Sequence, residues 1–166
     1  MKRATACNRQ TQSAGVTLAG MATRRSLHET DFYAWSLEQA ALLRAGRLGE
    51  ADLDAIAEEI ESMGKTEKRE LVSRLTVLLL HLLKWRHQPS HRGKSWRLSI
   101  ANARNEIVDH LEDNPSLKAV LDSAMEQAYR SARLKAAIET DYDEDEFPAR
   151  CPWSFAEMMD EGFWPE

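Results

Sequence analysis

The hydrophobic positions of the chain concentrate in a central segment, residues 71–85, where leucine recurs with helical spacing. Leu71, Leu75, Leu78 and Leu82 are separated by four, three and four residues, so they share one face of an α-helix. Further leucines and valines fill most of the other faces, which is typical of a helix buried on nearly all sides. The uncharged run is much shorter than the ~20 residues that span a membrane. The pattern therefore predicts the central helix of a soluble helical protein, with no membrane segment.

Apolar stripes with helical spacing predict further helices before and after the central one. The central helix is expected over 66–87, with Pro89 following its end. The other predicted helices cover about 32–45, 50–63, 95–111 and 115–138, and a short C-terminal helix follows Ser154. No stretch alternates apolar and polar residues as a strand does. The fold class predicted is all-α: a single-domain bundle of about five helices around the central helix (66–87), plus the short C-terminal helix.

Residues that commonly begin or end helices stand at the predicted boundaries. Small polar residues accept hydrogen bonds from the first free amides of a helix, and glycine readily adopts the left-handed conformation that ends one. The predicted N-terminal caps are Thr30 or Asp31, Ser95, Asn114 before Pro115, and Ser154 with Glu157 three residues later. The predicted helix ends are Gly46 and Gly64.

The first 28 residues differ from the rest of the chain, because they carry five bases, no acid and no apolar periodicity. This composition is similar to that of a transit peptide, although the segment has no apolar signal core. We expect residues 1–28 to be a disordered leader, with Met21 as an alternative translation start. Residues 29–166 are then predicted to form a single helical domain.

Charge is strongly segregated along the chain, whose formal net charge is -5. Residues 71–105 contain seven bases and no acid, whereas residues 139–146 contain six acids and no base. Two interpretations stay open. The bases can form an exposed binding surface, or the acidic segment can neutralise them within the fold. The negative net charge favours neutralisation and argues against a surface built for nucleic acid.

A candidate binding surface lies where the central helix ends and the next helix begins. Bases with nearby aromatic rings can contact phosphates and stack on nucleotide bases. A competing interpretation is that Trp96 begins a core stripe and the bases face the acidic segment. The candidate residues are Lys84, Trp85, Arg92, Lys94, Trp96 and Arg97.

Carboxylates and histidines on separate helices supply a second candidate site. The candidate catalytic residues of an enzyme are Glu58, Glu61 and His81, and Arg104 would hold an anion beside them. Glu61, His81 and His110 are the corresponding metal candidates, because carboxylates at the edge of a helix seam can bind metal together with histidine. The spacing typical of di-iron bundles is absent, so we favour a solvated carboxylate face, a structural His81 and no cofactor.

The two cysteines, Cys7 and Cys151, form neither a metal-binding pair nor a disulfide framework. A reduced cytoplasm is the simplest setting for them. We expect Cys151 to be a buried structural thiol, because no activating neighbour is evident in the sequence.

Several motifs follow one another in order along residues 29–166. They are Asp31-Phe32-Tyr33-x-Trp35, Glu58-Glu59-Ile60-Glu61-x-Met63-Gly64, His81-Leu82-Leu83-Lys84-Trp85, Ser95-Trp96, Asn114-Pro115-Ser116-Leu117 and Cys151-Pro152-Trp153. Through these motifs the chain resembles the bacterial family named domain of unknown function twenty-nine. The resemblance implies an all-helical, cytoplasmic bacterial protein and no particular reaction.

The sequence thus favours a non-enzymatic helical interaction module. Its expected partner is a protein, while nucleic acid is a less favoured partner. The alternative is an enzyme, metal-dependent in one version, that uses Glu58, Glu61 and His81 with Arg104. The sequence indicates no oligomeric state.

Overall fold

The computed structural model describes residues 27–166, and no strand occurs within that range. After a helical turn at 27–30, the α-helices are α1 (Phe32–Arg44), α2 (Leu53–His87), α3 (Lys94–Asp113), α4 (Leu121–Glu139) and α5 (Phe155–Met159). Short 3-10 turns occupy Leu48–Glu50, Pro89–His91, Pro115–Val120 and Glu144–Glu146. The predicted all-α fold class is confirmed. Between residues 27 and 166, no helix combines the length and apolar character needed to cross a membrane.

The chain divides into two compact units at the peptide bond between Glu61 and Ser62. The first unit holds α1 and the start of α2, and the second holds the rest of α2 with α3, α4 and α5. A division into compact units is not in itself a division into domains, so the single domain over 29–166 stays a prediction. The expected leader covers residues 1–28, of which only residues 27 and 28 are described. The alternative start at Met21 lies outside the described residues.

The ends of α1 are formed by the residues that the sequence indicated. The Asp31 side chain accepts a hydrogen bond from the backbone N–H of Ala34 at 3.0 Å, which caps the first turn. Gly46 follows the helix with φ of 68°, and the N–H of Arg47 then reaches back to the carbonyl of Leu42 at 3.0 Å. This pattern is a Schellman motif, which requires a left-handed residue that glycine supplies without steric cost.

α2 is longer than the sequence pattern predicted, because Gly64 does not end a helix. The 35 residues from Leu53 to His87 are helical, and the predicted central helix over 66–87 forms the larger part of them. Gly64 does not have a positive φ, and apart from its chain neighbours and the backbone of its own helix no described atom lies within 4 Å of its ideal Cβ position. A glycine inside a helix costs only about 1 kcal/mol relative to alanine and, unlike proline, leaves the hydrogen-bond ladder intact. Good helix-forming residues on both sides therefore continue the helix through it.

The core of the second unit surrounds the leucine-rich part of α2. Leu71, Leu75, Leu78 and Leu82 have no exposed surface, as their spacing predicted. α3 contributes Ile100 and Ile107, and the short C-terminal helix contributes Met158. α4 presents fully buried alanines at every fourth position: Ala124, Ala128, Ala132 and Ala136. These small side chains suit a helix that packs closely against the core.

The starts of α3 and α4 differ from the sequence prediction. α3 begins one residue before Ser95, and extended Gly93 takes the capping position without a side-chain hydrogen bond. Ser95 therefore lies inside the first turn and does not cap it. Asn114 precedes a 3-10 turn over Pro115–Val120, and regular α-helix begins only at Leu121.

The short helix α5 has the capping box that its sequence predicted. The backbone N–H of Glu157 donates to the Ser154 hydroxyl oxygen at 3.2 Å, and the Glu157 carboxylate accepts from the Ser154 backbone N–H at 2.7 Å. The Ser154 hydroxyl also donates to the Glu157 carboxylate at 2.7 Å, and the two hydrogen bonds that this carboxylate accepts from Ser154 lower the pKa of Glu157. Because a five-residue helix is too short to be stable alone, this cap and the buried Met158 hold it in place.

Candidate functional site

Aromatic rings and arginine side chains meet around Trp85, near the end of α2. Trp85 is only 6% exposed, and its ring centroid lies 4.6 Å from that of Trp164. The guanidinium carbons of Arg92 and Arg97 lie 5.4 and 5.7 Å from the Trp85 ring centroid. Cations at this distance are attracted to the electron-rich face of an indole. We call Trp85, Trp164, Arg92 and Arg97 the Trp85 cluster.

Arg92 is also held by a hydrogen bond to the backbone. Its Nε donates to the carbonyl oxygen of Trp85 at 2.8 Å. Carbonyls in the last turn of a helix have no partner within the helix, and positive charge is favourable at that end. The geometry therefore fixes the Arg92 guanidinium between the end of α2 and the Trp85 ring, although the residue is exposed.

Arg104 extends from α3 to the C-terminal segment, where backbone carbonyls surround its guanidinium. It is 5% exposed and donates from Nε to the carbonyl of Met158 at 2.7 Å and from Nη2 to that of Phe163 at 2.9 Å. A longer contact of 3.4 Å joins Nη1 to the carbonyl of Glu161. Burial lowers the pKa of Arg104. The same guanidinium carbon lies 5.6 Å from the centroid of the Trp164 ring, so Arg104 also contacts the Trp85 cluster through Trp164.

Lys84 and Trp96 form a second cation–aromatic pair beside this cluster. The Lys84 ammonium lies 5.0 Å from the Trp96 ring centroid and 2.8 Å from a carboxylate oxygen of Glu139. The ring of His91 stacks on Trp96 with centroids 6.3 Å apart and an interplanar angle of 21°. The side chain of Lys84 is only 12% exposed. Because its ammonium contacts the Glu139 carboxylate, its charge is already paired within the fold.

The acidic segment 139–146 neutralises little of the basic region. Among described residues, its ion pairs are Lys84 with Glu139 and Arg133 with Glu144, the latter at 3.6 Å. The carboxylate of Glu146 accepts from the backbone N–H of Asp143 at 2.7 Å and so closes its own turn. No described carboxylate pairs with Arg92, Lys94 or Arg97. The expected neutralisation is therefore limited, in the described chain, to Lys84.

The family model described as "Domain of unknown function DUF29" matches residues 27–164. The chain belongs to this family. The resemblance carried by the ordered motifs is thereby confirmed. No curated protein and no solved structure matches the chain.

The histidines of this DUF29 domain occupy different environments. His110 is 8% exposed, and its Nε2 lies 3.0 Å from the carbonyl oxygen of Glu67 in a hydrogen bond. Nδ1 of His81 is buried and has no hydrogen-bond partner among residues 27–166. Burial and the nearby Lys84 ammonium lower the pKa of His81. His81 is therefore neutral near pH 7 and lies in a partly buried position.

The candidate carboxylates lie apart from the Trp85 cluster along the chain. Glu58 and Glu61 are exposed residues in the first part of α2. Within residues 27–166, no group of three or more His, Cys, Asp and Glu side chains has an arrangement that could hold a metal ion. The catalytic assignment to Glu58, Glu61, His81 and Arg104, and the metal assignment to Glu61, His81 and His110, stay predictions.

Sequence reasoning did not find Trp164 or the role of Arg104. Trp164 lies 79 positions after Trp85, beyond the reach of any periodicity, yet its ring covers that of Trp85. The available signal was the pair Phe163-Trp164, because two aromatic residues shortly after a capped helix favour a segment that packs back onto the DUF29 core.

Proposed function

We propose that this DUF29 domain is a non-enzymatic interaction module that binds an acidic segment of a partner protein. The binding residues would be Arg92, Lys94 and Arg97, with the edge of Trp164 beside them. The observation that carries the proposal is that these three bases are exposed and have no carboxylate partner among the described residues. We also propose a cytoplasmic location, because Cys151 is a free thiol and a reducing compartment maintains it.

Two of the three bases are held in place before any partner binds. Arg92 and Arg97 both lie against the Trp85 ring, and Arg92 has its additional bond to the Trp85 carbonyl. Immobilising a flexible side chain on binding costs about 0.5–1.5 kcal/mol. Because the rings and the carbonyl already restrict these arginines, less of that cost falls on association. Tryptophan and arginine are also the residues most enriched where binding energy is concentrated in protein interfaces.

A protein partner fits this surface better than nucleic acid. A nucleotide base stacks on the open face of an aromatic ring, but Trp85 is 6% exposed and its surroundings are taken by Trp164 and the arginines. The net charge of -5 also disfavours a long polyanion. A short acidic segment needs only a few guanidinium contacts, and Trp164, 36% exposed, offers an apolar contact next to them.

The test measures binding of a fluorescent peptide that alternates glutamate and leucine to the full chain, by fluorescence anisotropy at about 0.15 M salt. Arg92→Ala with Arg97→Ala should weaken binding by about 5–30-fold, which corresponds to a loss of about 1–2 kcal/mol. The matched control is Lys118→Ala with Lys135→Ala, which removes the same charge at exposed positions that make no described ion pair. That control should bind within about twofold of the parent chain.

Two further measurements separate charge from geometry and protein from nucleic acid. Arg92→Lys with Arg97→Lys keeps both charges but loses the planar guanidinium, so it should recover only part of the affinity. A single-stranded oligonucleotide of equal charge should bind more weakly than the peptide. The proposal fails if both double-alanine variants bind the peptide equally well. Tighter binding of the oligonucleotide would reject the protein partner.

A further inference from the structure

A groove of about 560 Å³ lies between α4 and the loop that precedes α5, and no residue of the Trp85 cluster lines it. α4 lines it with Met125, Glu126, Tyr129 and Arg130. The loop contributes Arg150 and Cys151. Small-molecule sites are commonly of this size, with a few polar groups that set the orientation of the ligand.

The inner surface of the groove is neutral and fixed by hydrogen bonds. The Tyr129 hydroxyl donates to the carbonyl of Pro148 at 2.8 Å and thereby ties the loop to α4. Burial raises the pKa of Tyr129 to about 12, so this donor keeps its proton. The Cys151 thiol lies 3.3 Å from the Trp153 carbonyl that accepts from it, and burial raises its pKa as well. Both groups are therefore uncharged at neutral pH, next to the apolar Met125.

The outer part of the groove carries two guanidinium groups and one carboxylate. Arg130, Arg150 and Glu126 are all exposed, and none of them makes an ion pair with a described residue. Glu126 and Arg130 stand four residues apart on α4, a spacing that often forms a helix ion pair, yet they make none here. The groove thus presents one net positive charge above a neutral inner surface.

We propose that this groove binds a small monocarboxylate with an apolar body. The carboxylate would lie between the Arg130 and Arg150 guanidinium groups, whose planar donors match its two oxygens. The apolar body would rest on Met125, the Tyr129 ring and Cys151. A phosphate monoester also suits guanidinium groups, but its second negative charge would meet Glu126. This site does not depend on the interaction proposed for the Trp85 cluster.

The test uses Cys151 as a reporter of occupancy in the full chain. Cys7→Ser leaves Cys151 as the single thiol. Its rate of alkylation by N-ethylmaleimide is followed by mass spectrometry in the presence of benzoate, benzamide or phenyl phosphate at 10 mM. This concentration is about ten times the dissociation constant of ~1 mM expected for so small a ligand. Benzoate should slow alkylation about tenfold at that ratio, because only the empty groove reacts. Benzamide, which has the same shape without the charge, should slow it much less.

Charge variants then assign the protection to the two arginines. Arg130→Gln with Arg150→Gln in the Cys7→Ser background should abolish protection by benzoate. Lys118→Gln with Lys135→Gln should keep it, and circular dichroism checks that both variants are folded. The proposal is overturned if benzoate gives no protection, if benzamide protects equally, or if the arginine variants protect as the parent does. Protection by phenyl phosphate without protection by benzoate would overturn the carboxylate assignment.

Discussion

Replacement of Arg104 by methionine is expected to destabilise the C-terminal segment and, with it, the Trp85 cluster. Methionine keeps much of the apolar length of the side chain but removes every donor. The carbonyls of Met158 and Phe163 then lose partners at 2.7 and 2.9 Å, and that of Glu161 loses its weaker contact at 3.4 Å. Water cannot easily replace the bond to Met158, whose residue has no exposed surface.

The expected size of the loss follows from the two short bonds. A hydrogen bond with a charged partner contributes about 1.5–3 kcal/mol to stability, so the two together give about 3–6 kcal/mol. A domain of this length loses about 2–4 °C in melting temperature per kcal/mol. Arg104→Met should therefore lower the melting temperature by about 6–24 °C, as measured by circular dichroism. The free energy of unfolding of a domain is only about 5–15 kcal/mol, so at the upper end of this loss the variant should be partly unfolded at 37 °C.

Two variants complete the test of Arg104. Arg97→Met makes the same substitution at an exposed position on the same helix, where the described contact is with the Trp85 ring, and it should cost less than about 1 kcal/mol. Arg104→Lys keeps the charge but cannot reach all three carbonyls, so its stability should lie between those of the parent and Arg104→Met. A loss below about 1 kcal/mol for Arg104→Met would refute the reasoning, because it would mean that the carbonyls find other partners without cost.

Two further predictions concern the core and the histidines. Leu82→Ala should lower the free energy of unfolding in urea by about 2–5 kcal/mol, because Leu82 is fully buried. Leu134→Ala should lower it much less, because Leu134 is 53% exposed. Equal losses would contradict the central position of α2. Burial lowers the pKa of both His81 and His87, so the folded state binds protons less readily than the unfolded state. Their contribution to stability is complete above the unfolded pKa of about 6.5 and is lost as the pH falls below it, so unfolding at pH 5.5 should need less urea than at pH 7.5. His81→Gln should reduce this difference, and a stability that stays constant or rises toward pH 5.5 would contradict the assignment.

Local interactions made much of the helical structure predictable. The leucine spacing identifies the buried face of α2, and Leu71 and Leu82 are both fully buried as expected. Asp31 and Ser154 cap helices where the sequence indicated, because a cap depends on residues within one turn. Gly46 ends α1 for the same reason, since its left-handed conformation is a local property.

The continuation of α2 through Gly64 and the exposure of Ile60 could not be predicted from local patterns. Gly64 and Gly46 are the same residue type, but Gly64 continues a helix because good helix-forming neighbours outweigh its small cost. Ile60 belongs to an apolar stripe that correctly predicted a helix, and yet it is 64% exposed. Periodicity reports which residues share a face, and the tertiary arrangement decides whether that face is covered.

The sequence by itself thus determined the all-α class, several helix ends, the buried leucines of α2 and the membership of the family. Only the tertiary structure decided which basic residues are paired. Lys84 meets Glu139 and Arg104 meets backbone carbonyls, while Arg92 and Arg97 lie against Trp85 without a described carboxylate. These contacts join residues separated by up to 59 positions, as between Arg104 and Phe163. Charge and hydrogen bonding act over a few ångströms in space, so their partners are set only when the helices pack.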